Sequence, residues 1–146
     1  MPIELTIADF DKQPRGPYAF DFWLSKRTIP SPMGEFDAEL REEPTEELVR
    51  HVNEMAAFVA ERSDDILKLV HVSYLRVTDD EQWMQACEVP QDLDRDQVIP
   101  YLDSRSIVVE LRRGRIEKVF HINPQWDEEH KIDLELKGGV LKFYEF

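Results

Sequence analysis

Two histidines, three carboxylates and a tryptophan fall within the stretch His121-Ile122-Asn123-Pro124-Gln125-Trp126-Asp127-Glu128-Glu129-His130. No other stretch gathers as many side chains able to bind a cation or move a proton. Imidazole nitrogens and carboxylates converging at about 2.0–2.2 Å would hold zinc. The available ligands are His121, Asp127, Glu129 and His130, and a metal held there would point to a metal-dependent hydrolase. Their spacing matches no familiar zinc pattern, since there is neither His-Glu-x-x-His nor a cysteine pair. The same residues also suit a turn. Trp126 would plug the edge of the core, Asp127 would cap, and Glu129 or His130 would bond free backbone groups before the next strand. The structural role is the one expected, with Trp126, Asp127, Glu129 and His130 as its signature.

Three other groups have the same two possible roles, a site or a structural feature. Asp79, Asp80, Glu81, Glu88, Asp92, Asp94 and Asp96 make the polar middle of the chain acidic. No glycine lies among them, so the calcium-loop pattern is missing. They offer a basic protein an acidic binding face, or else a solvated loop. Arg112-Arg113-Gly114-Arg115, with Lys118 near, would grip a phosphate or a carboxylate, yet on so acidic a chain a solvated turn is expected. Cys87 needs a nearby base to act as a nucleophile, and its neighbours match no nucleophile motif, so a buried structural thiol is expected. With no phosphate-cradling glycine loop and no Gly-x-Ser-x-Gly elbow, no catalytic residue is assigned.

The elements that must position these groups follow from periodicity. Ile3 to Phe10 reads as a short strand or extended arm, and Asp11 to Pro17 as a loop with two prolines. Tyr18–Leu24 and Phe36–Leu40 read as an antiparallel hairpin. In the second of these Phe36, Ala38 and Leu40 alternate with Asp37 and Glu39. Thr45 is placed to cap a helix whose Leu48, Val49, Val52, Met55, Ala56 and Val59 share one face. Ser63-Asp64-Asp65 predicts a break or bend before a second helix over Ile66–Leu75, largely buried. A short helix from Asp94 turns Val98, Ile99 and Leu102 inward, and Pro100 limits it. Ser106–Leu111, Ile116–Ile122, Ile132–Lys137 and Val140–Phe146 read as strands, the last two joined by a Gly138-Gly139 turn. The class is α+β: an N-terminal β-hairpin, a helical middle and a C-terminal four-stranded antiparallel meander.

The bulk numbers bound the function. The 146 residues suit a single domain spanning 1–146. The net charge is −13 at pH 7 and the pI about 4.7. That balance repels phosphate backbones and anionic membrane surfaces while attracting basic partners. One cysteine excludes an internal disulfide framework. Neither a signal peptide nor a membrane span is evident, so the cytoplasm is the expected compartment. Trp23, Phe22 and Phe146 are the candidate anchors if the chain self-associates as a structural or regulatory oligomer.

The strand ending near Phe120, the Trp126-Asp127-Glu128-Glu129-His130 run and the closing glycine hairpin resemble a group of small uncharacterised bacterial α+β domains. Their ending is Trp-Asp-x-Glu-His-Gly followed by two strands, and they open on a tryptophan-bearing hairpin, as Trp23 and Phe36–Leu40 would form here. A tyrosine-bearing helix like Ile66–Leu75 lies in their middle. The resemblance covers about Tyr18 to Phe146 and departs at Lys131, where the group has glycine. Some of these domains resemble immunity proteins of bacterial toxin systems. The charge of −13, the acidic segment and the absence of a catalytic motif point to a non-enzymatic, cofactor-free protein-binding domain, which the resemblance would make an immunity-type inhibitor. Its partner would be a basic protein such as a toxin, with no nucleic-acid or membrane role.

Overall fold

Alternating burial fixes the strands, and a helical stripe of aliphatics fixes what covers them. The computed structural model describes residues 3–14, 20–78, 89–127 and 131–144. Its strands are β1 (Phe10–Lys12), β2 (Trp23–Ser25), β3 (Asp37–Leu40), β4 (Leu102–Arg112), β5 (Arg115–Pro124), β6 (Ile132–Lys137) and β7 (Val140–Phe143). They form one seven-stranded sheet in sequence order. Every neighbouring pair is antiparallel except β3 and β4, which run parallel, with Ala38 opposite Ile107 and Leu40 opposite Val109. A parallel pair needs a long crossover, and the helix α1 (Glu46–Thr78) supplies it. The class is α+β.

The expected hairpin and the expected antiparallel run of four strands are both present, as β2–β3 and β4–β7, but they are parts of one sheet. The parallel β3–β4 contact fuses the N-terminal strands to the four that close the chain. The loop expected over Asp11–Pro17 also begins as an edge strand, because Lys12 pairs with Trp23 and Asp11 with Leu24. Strand β2 covers only the end of the run expected from Tyr18, and Tyr18 itself lies outside the described residues. Strand β4 starts four residues early, at Leu102. Polar Ser104 and Arg105 still pair with Asn123 and Ile122, across an irregularity after Leu102.

Helix α1 starts where Thr45 accepts the Leu48 amide at 3.2 Å, satisfying one of the free N–H groups of the first turn. It does not stop at Ser63. Arg62 leaves helical geometry (φ −128°, ψ 33°) and the helix kinks there, beside the Ser63-Asp64-Asp65 signal. Its inward stripe runs from Leu48 to Tyr74 and packs on Ala38, Leu40, Ile107, Val109, Phe120, Ile122 and Leu134. Phe58 sits over Phe120 with ring centres 5.9 Å apart. Leu75, expected inside, is 47 % exposed, one position past the stripe. Trp126 is buried against Tyr74, edge to face at 5.3 Å, and its indole N–H lies 3.5 Å from the Ser73 hydroxyl. After the crossover a 3-10 helix, Arg95–Tyr101, contains Pro100 and buries Val98. Gly138 and Gly139 both have positive φ (59° and 75°), the geometry of a two-residue turn matched to strand twist.

Candidate functional site

Because α1 covers one face of the sheet, the other carries the polar half of every alternating strand. Strand register arranges that open face in rows. One row runs Asp37, Ser106, His121, Asp133 across β3, β4, β5 and β6. The next runs Leu24, Glu39, Val108, Val119, Glu135, Lys142. Glu110 and Glu117 stand opposite each other in the third, and Arg112 faces Arg115 at the hairpin tip. Acids thus gather at one end of the face and the basic turn at the other.

Several of the charged groups are held by a neighbour. Arg41 bonds Glu39 at 2.9 Å and Glu110 at 3.3 Å, which relieves the like-charge opposition of Glu110 and Glu117. On the other flank Tyr144 donates to Glu117 at 2.6 Å while Arg112 donates to the Tyr144 oxygen at 2.9 Å. Tyr144 follows β7, so this bond crosses over β6 and ties the edge strand down. The Glu117 carboxylate, together with burial, holds the Tyr144 phenol above its ordinary pKa. Hydrogen bonding to Tyr144 likewise raises the Arg112 guanidinium.

His121 bonds the Asp133 carboxylate through Nδ1. A carboxylate only accepts, so Nδ1 is the donor in this bond. His121 also borders a hollow on the open sheet face. This cavity of about 270 Å³ lies between Phe20 and Phe22 on one side and Glu39, Arg41, Ser106, Val108, His121 and Asn123 on the other. The Arg41 guanidinium lies 4.9 Å over the Phe20 ring. The Asn123 amide nitrogen donates to Ser104, while its Oδ1 is buried with no hydrogen-bond partner among the described residues.

Ser106, His121 and Asp133 are the residue types of an acyl-transfer triad, standing side by side. Two features argue against that chemistry. No hydrogen bond joins Ser106 to His121 among the described residues. Strand β4 is also flanked by β3 and β5, so the ladder occupies the backbone donors that an oxyanion would need.

The residues singled out from sequence fare unevenly. Of the proposed metal set, His121 is engaged with Asp133 and Asp127 is half-buried, while Glu129 and His130 lie outside the described residues. Among the described residues no three His, Cys, Asp or Glu side chains cluster as a metal site. Trp126 is buried as its structural role requires. Asp79, Asp80, Glu81, Glu88 and Cys87 lie outside the described residues. Asp92, Asp94 and Asp96 are exposed, and Asp94 opens the 3-10 helix through a reciprocal bond with Gln97. Trp23 is half-buried on the core beneath Lys12, Phe22 lines the cavity, and Phe146 is outside the described residues. Sequence reasoning missed Asp133, Arg41, Asn123 and Ser106. Placing Ile122 against Ile132 would have found the first, since it sets His121 against Asp133.

The fold and site define a single-sheet α+β domain with a polar sheet face that no helix among the described residues covers. Comparison with family models, with curated proteins and with solved structures found no match. No helix among the described residues is long and apolar enough to cross a membrane.

Proposed function

We propose that the protein is a non-enzymatic, cytoplasmic protein-binding domain of the immunity type, whose acidic surface covers a basic partner such as a toxin. The observation that carries the reading is the polar sheet face, which no helix among the described residues covers. It carries exposed Asp37 and partly buried Glu39, Asp133 and Glu135, with the exposed ring of Phe20 beside Glu39. A net charge of −13 adds long-range attraction for a cationic protein. Exposed Asp92, Asp94 and Asp96 extend the acidic surface beyond the sheet. The same charge disfavours nucleic acid and anionic membranes.

The test is capture from the source cell at low and at moderate salt, followed by reconstitution of the purified pair. A cationic protein binding one to one, with association slowing as salt rises, is expected. Recovery of no cationic protein at either salt overturns the reading.

A further inference from the structure

We propose that β7 is a docking edge, on which an extended acidic segment of a partner protein adds as a further strand of the sheet. This is a second surface, separate from the acidic face, and its ligand carries the opposite charge.

The sheet ends at β1 on one side and at β7 on the other. Strand β1 is three residues long, and its Asp11 and Lys12 are drawn into ion pairs with Lys26 and Asp21. Such an edge is guarded against pairing. Register shows which groups the β7 edge leaves open. In an antiparallel ladder the N–H and C=O of one residue point to the same side, and the side alternates along the strand. Lys137 pairs with Val140 and Glu135 with Lys142, and the Tyr144 amide donates to the Asp133 carbonyl at 2.8 Å. Val140, Lys142 and Tyr144 therefore turn their backbone groups toward β6. Leu141 and Phe143 turn theirs outward, where no strand among the described residues meets them. An extended chain adds to a sheet through such alternate outward groups.

Charge selects the chain. Lys142 is the one charged side chain of β7. Neither it nor Lys137, at the turn, has an ion-pair partner among the described residues. Arg76 brings a third cation from α1, its guanidinium 5.0 Å over the Phe143 ring. Glu135 lies one strand further in, on β6, so the lysine meets an added strand first. In an antiparallel addition the residue facing Lys142 falls in a non-hydrogen-bonded pair, where side chains come closest. A carboxylate there makes a favourable cross-strand pair, and a second cation an unfavourable one. A hollow of about 420 Å³, lined by Glu135, Lys142, Phe143 and Tyr144, leaves room for it. The residues on either side of that carboxylate fall beside Leu141 and Phe143, which pack on the core, so they are apolar. The chain's net charge of −13 does not prevent the contact, because charges more than about 8 Å away are largely screened at physiological salt.

The experiment is a backbone-amide NMR titration of the intact protein with the capped peptide acetyl-Thr-Val-Glu-Val-Thr-amide and its Lys-centred counterpart. Saturable shifts at the Leu141 and Phe143 amides are expected with the Glu peptide, and an affinity about threefold lower with the Lys peptide. Lys142→Glu should invert that preference. Leu141→Pro removes an outward N–H and leaves the β6 ladder whole, so it should abolish the Phe143 shift with helix content unchanged. If that variant fails to fold, the inversion at Lys142 decides alone. Absence of saturable shifts at both amides, or equal binding of the two peptides, overturns the proposal and makes Lys142 a guard of the edge. Self-association of the protein in sedimentation, removed by Leu141→Pro, would give the edge to a second copy and overturn it too.

Discussion

At the scale of single residues, Tyr74 couples the helix to the chain that follows the crossover. Its hydroxyl donates to the Pro90 carbonyl and accepts the Leu93 amide at 3.2 Å, with the ring buried. Tyr74→Phe keeps the packing and strands both backbone groups. Unpaired buried groups cost about 1–3 kcal/mol, and a urea titration should show a loss in that range with unchanged slope. A loss near zero would mean that water replaces the hydroxyl. Asp9 makes a different kind of contribution. Arg27 holds it through a paired hydrogen bond, with the Thr6 amide adding a second contact, and its pKa falls from 3.8 to about 2. A depressed carboxylate stabilises the fold fully above its unfolded pKa. That contribution fades as pH falls through the folded value, here between about pH 4 and 2. The pair is surface-exposed and screened, so its effect is small. Wild type and Asp9→Asn should differ in urea midpoint at pH 5 and converge at pH 2. A constant gap between them would assign the cost to something other than this charge.

At the scale of elements, the turn before β3 shows what local sequence carries and what it omits. Pro30, Pro32 and Gly34 announce a turn, and Gly34 takes φ +110°, a conformation side chains rarely adopt. Nothing local announces that Arg105, on β4, lies against it. A Cβ at Gly34 would sit 2.8 Å from the guanidinium, which also bonds the Leu102 and Glu35 carbonyls. Gly34→Ala should therefore cost about 1–3 kcal/mol from backbone strain, plus the displacement of Arg105. In a double-mutant cycle with Arg105→Ala the steric share should vanish and the strain remain. Strict additivity would show that Arg105 moves aside freely. The same contrast explains the rest of the fold. Strands β5 and β6 were legible because period-two alternation is written in Phe120, Ile122, Ile132, Leu134 and Leu136. The helix was legible from Leu48 to Tyr74, and its kink from Ser63-Asp64-Asp65. Strand β1 was not, since three residues carry too short a pattern. The β3–β4 pairing was not, since its partners stand some 69 positions apart, Leu40 against Val109. The candidate site shares this fate: His121 was visible as chemistry, but its partner and its cavity exist only through register.

At the scale of the whole molecule, that single parallel contact decides whether the chain has one core or two. If the N-terminal strands were a separate hairpin they would melt by themselves, because an isolated hairpin is marginal in water. Here Phe36, Ala38 and Leu40 are fully buried in the same cluster as Val59, Ile107 and Phe120, and Phe36 meets Phe120 edge to face at 6.0 Å. One helix covers both halves of the sheet, so losing either half exposes its inner stripe. At 146 residues such a chain is within the size that unfolds cooperatively. Two tryptophans report from opposite sides of the parallel seam: Trp23 on β2 and Trp126 beyond β5. Replacing Trp83 and either of these by Phe yields single-tryptophan proteins. Their urea transitions by fluorescence should coincide with each other and with loss of helix by circular dichroism. An earlier transition at Trp23 than at Trp126 would show that β1 to β3 detach first. The cavity between Phe22 and His121 would then dissolve with them, because Phe22 and Glu39 come from that side of the seam and His121 and Asn123 from the other.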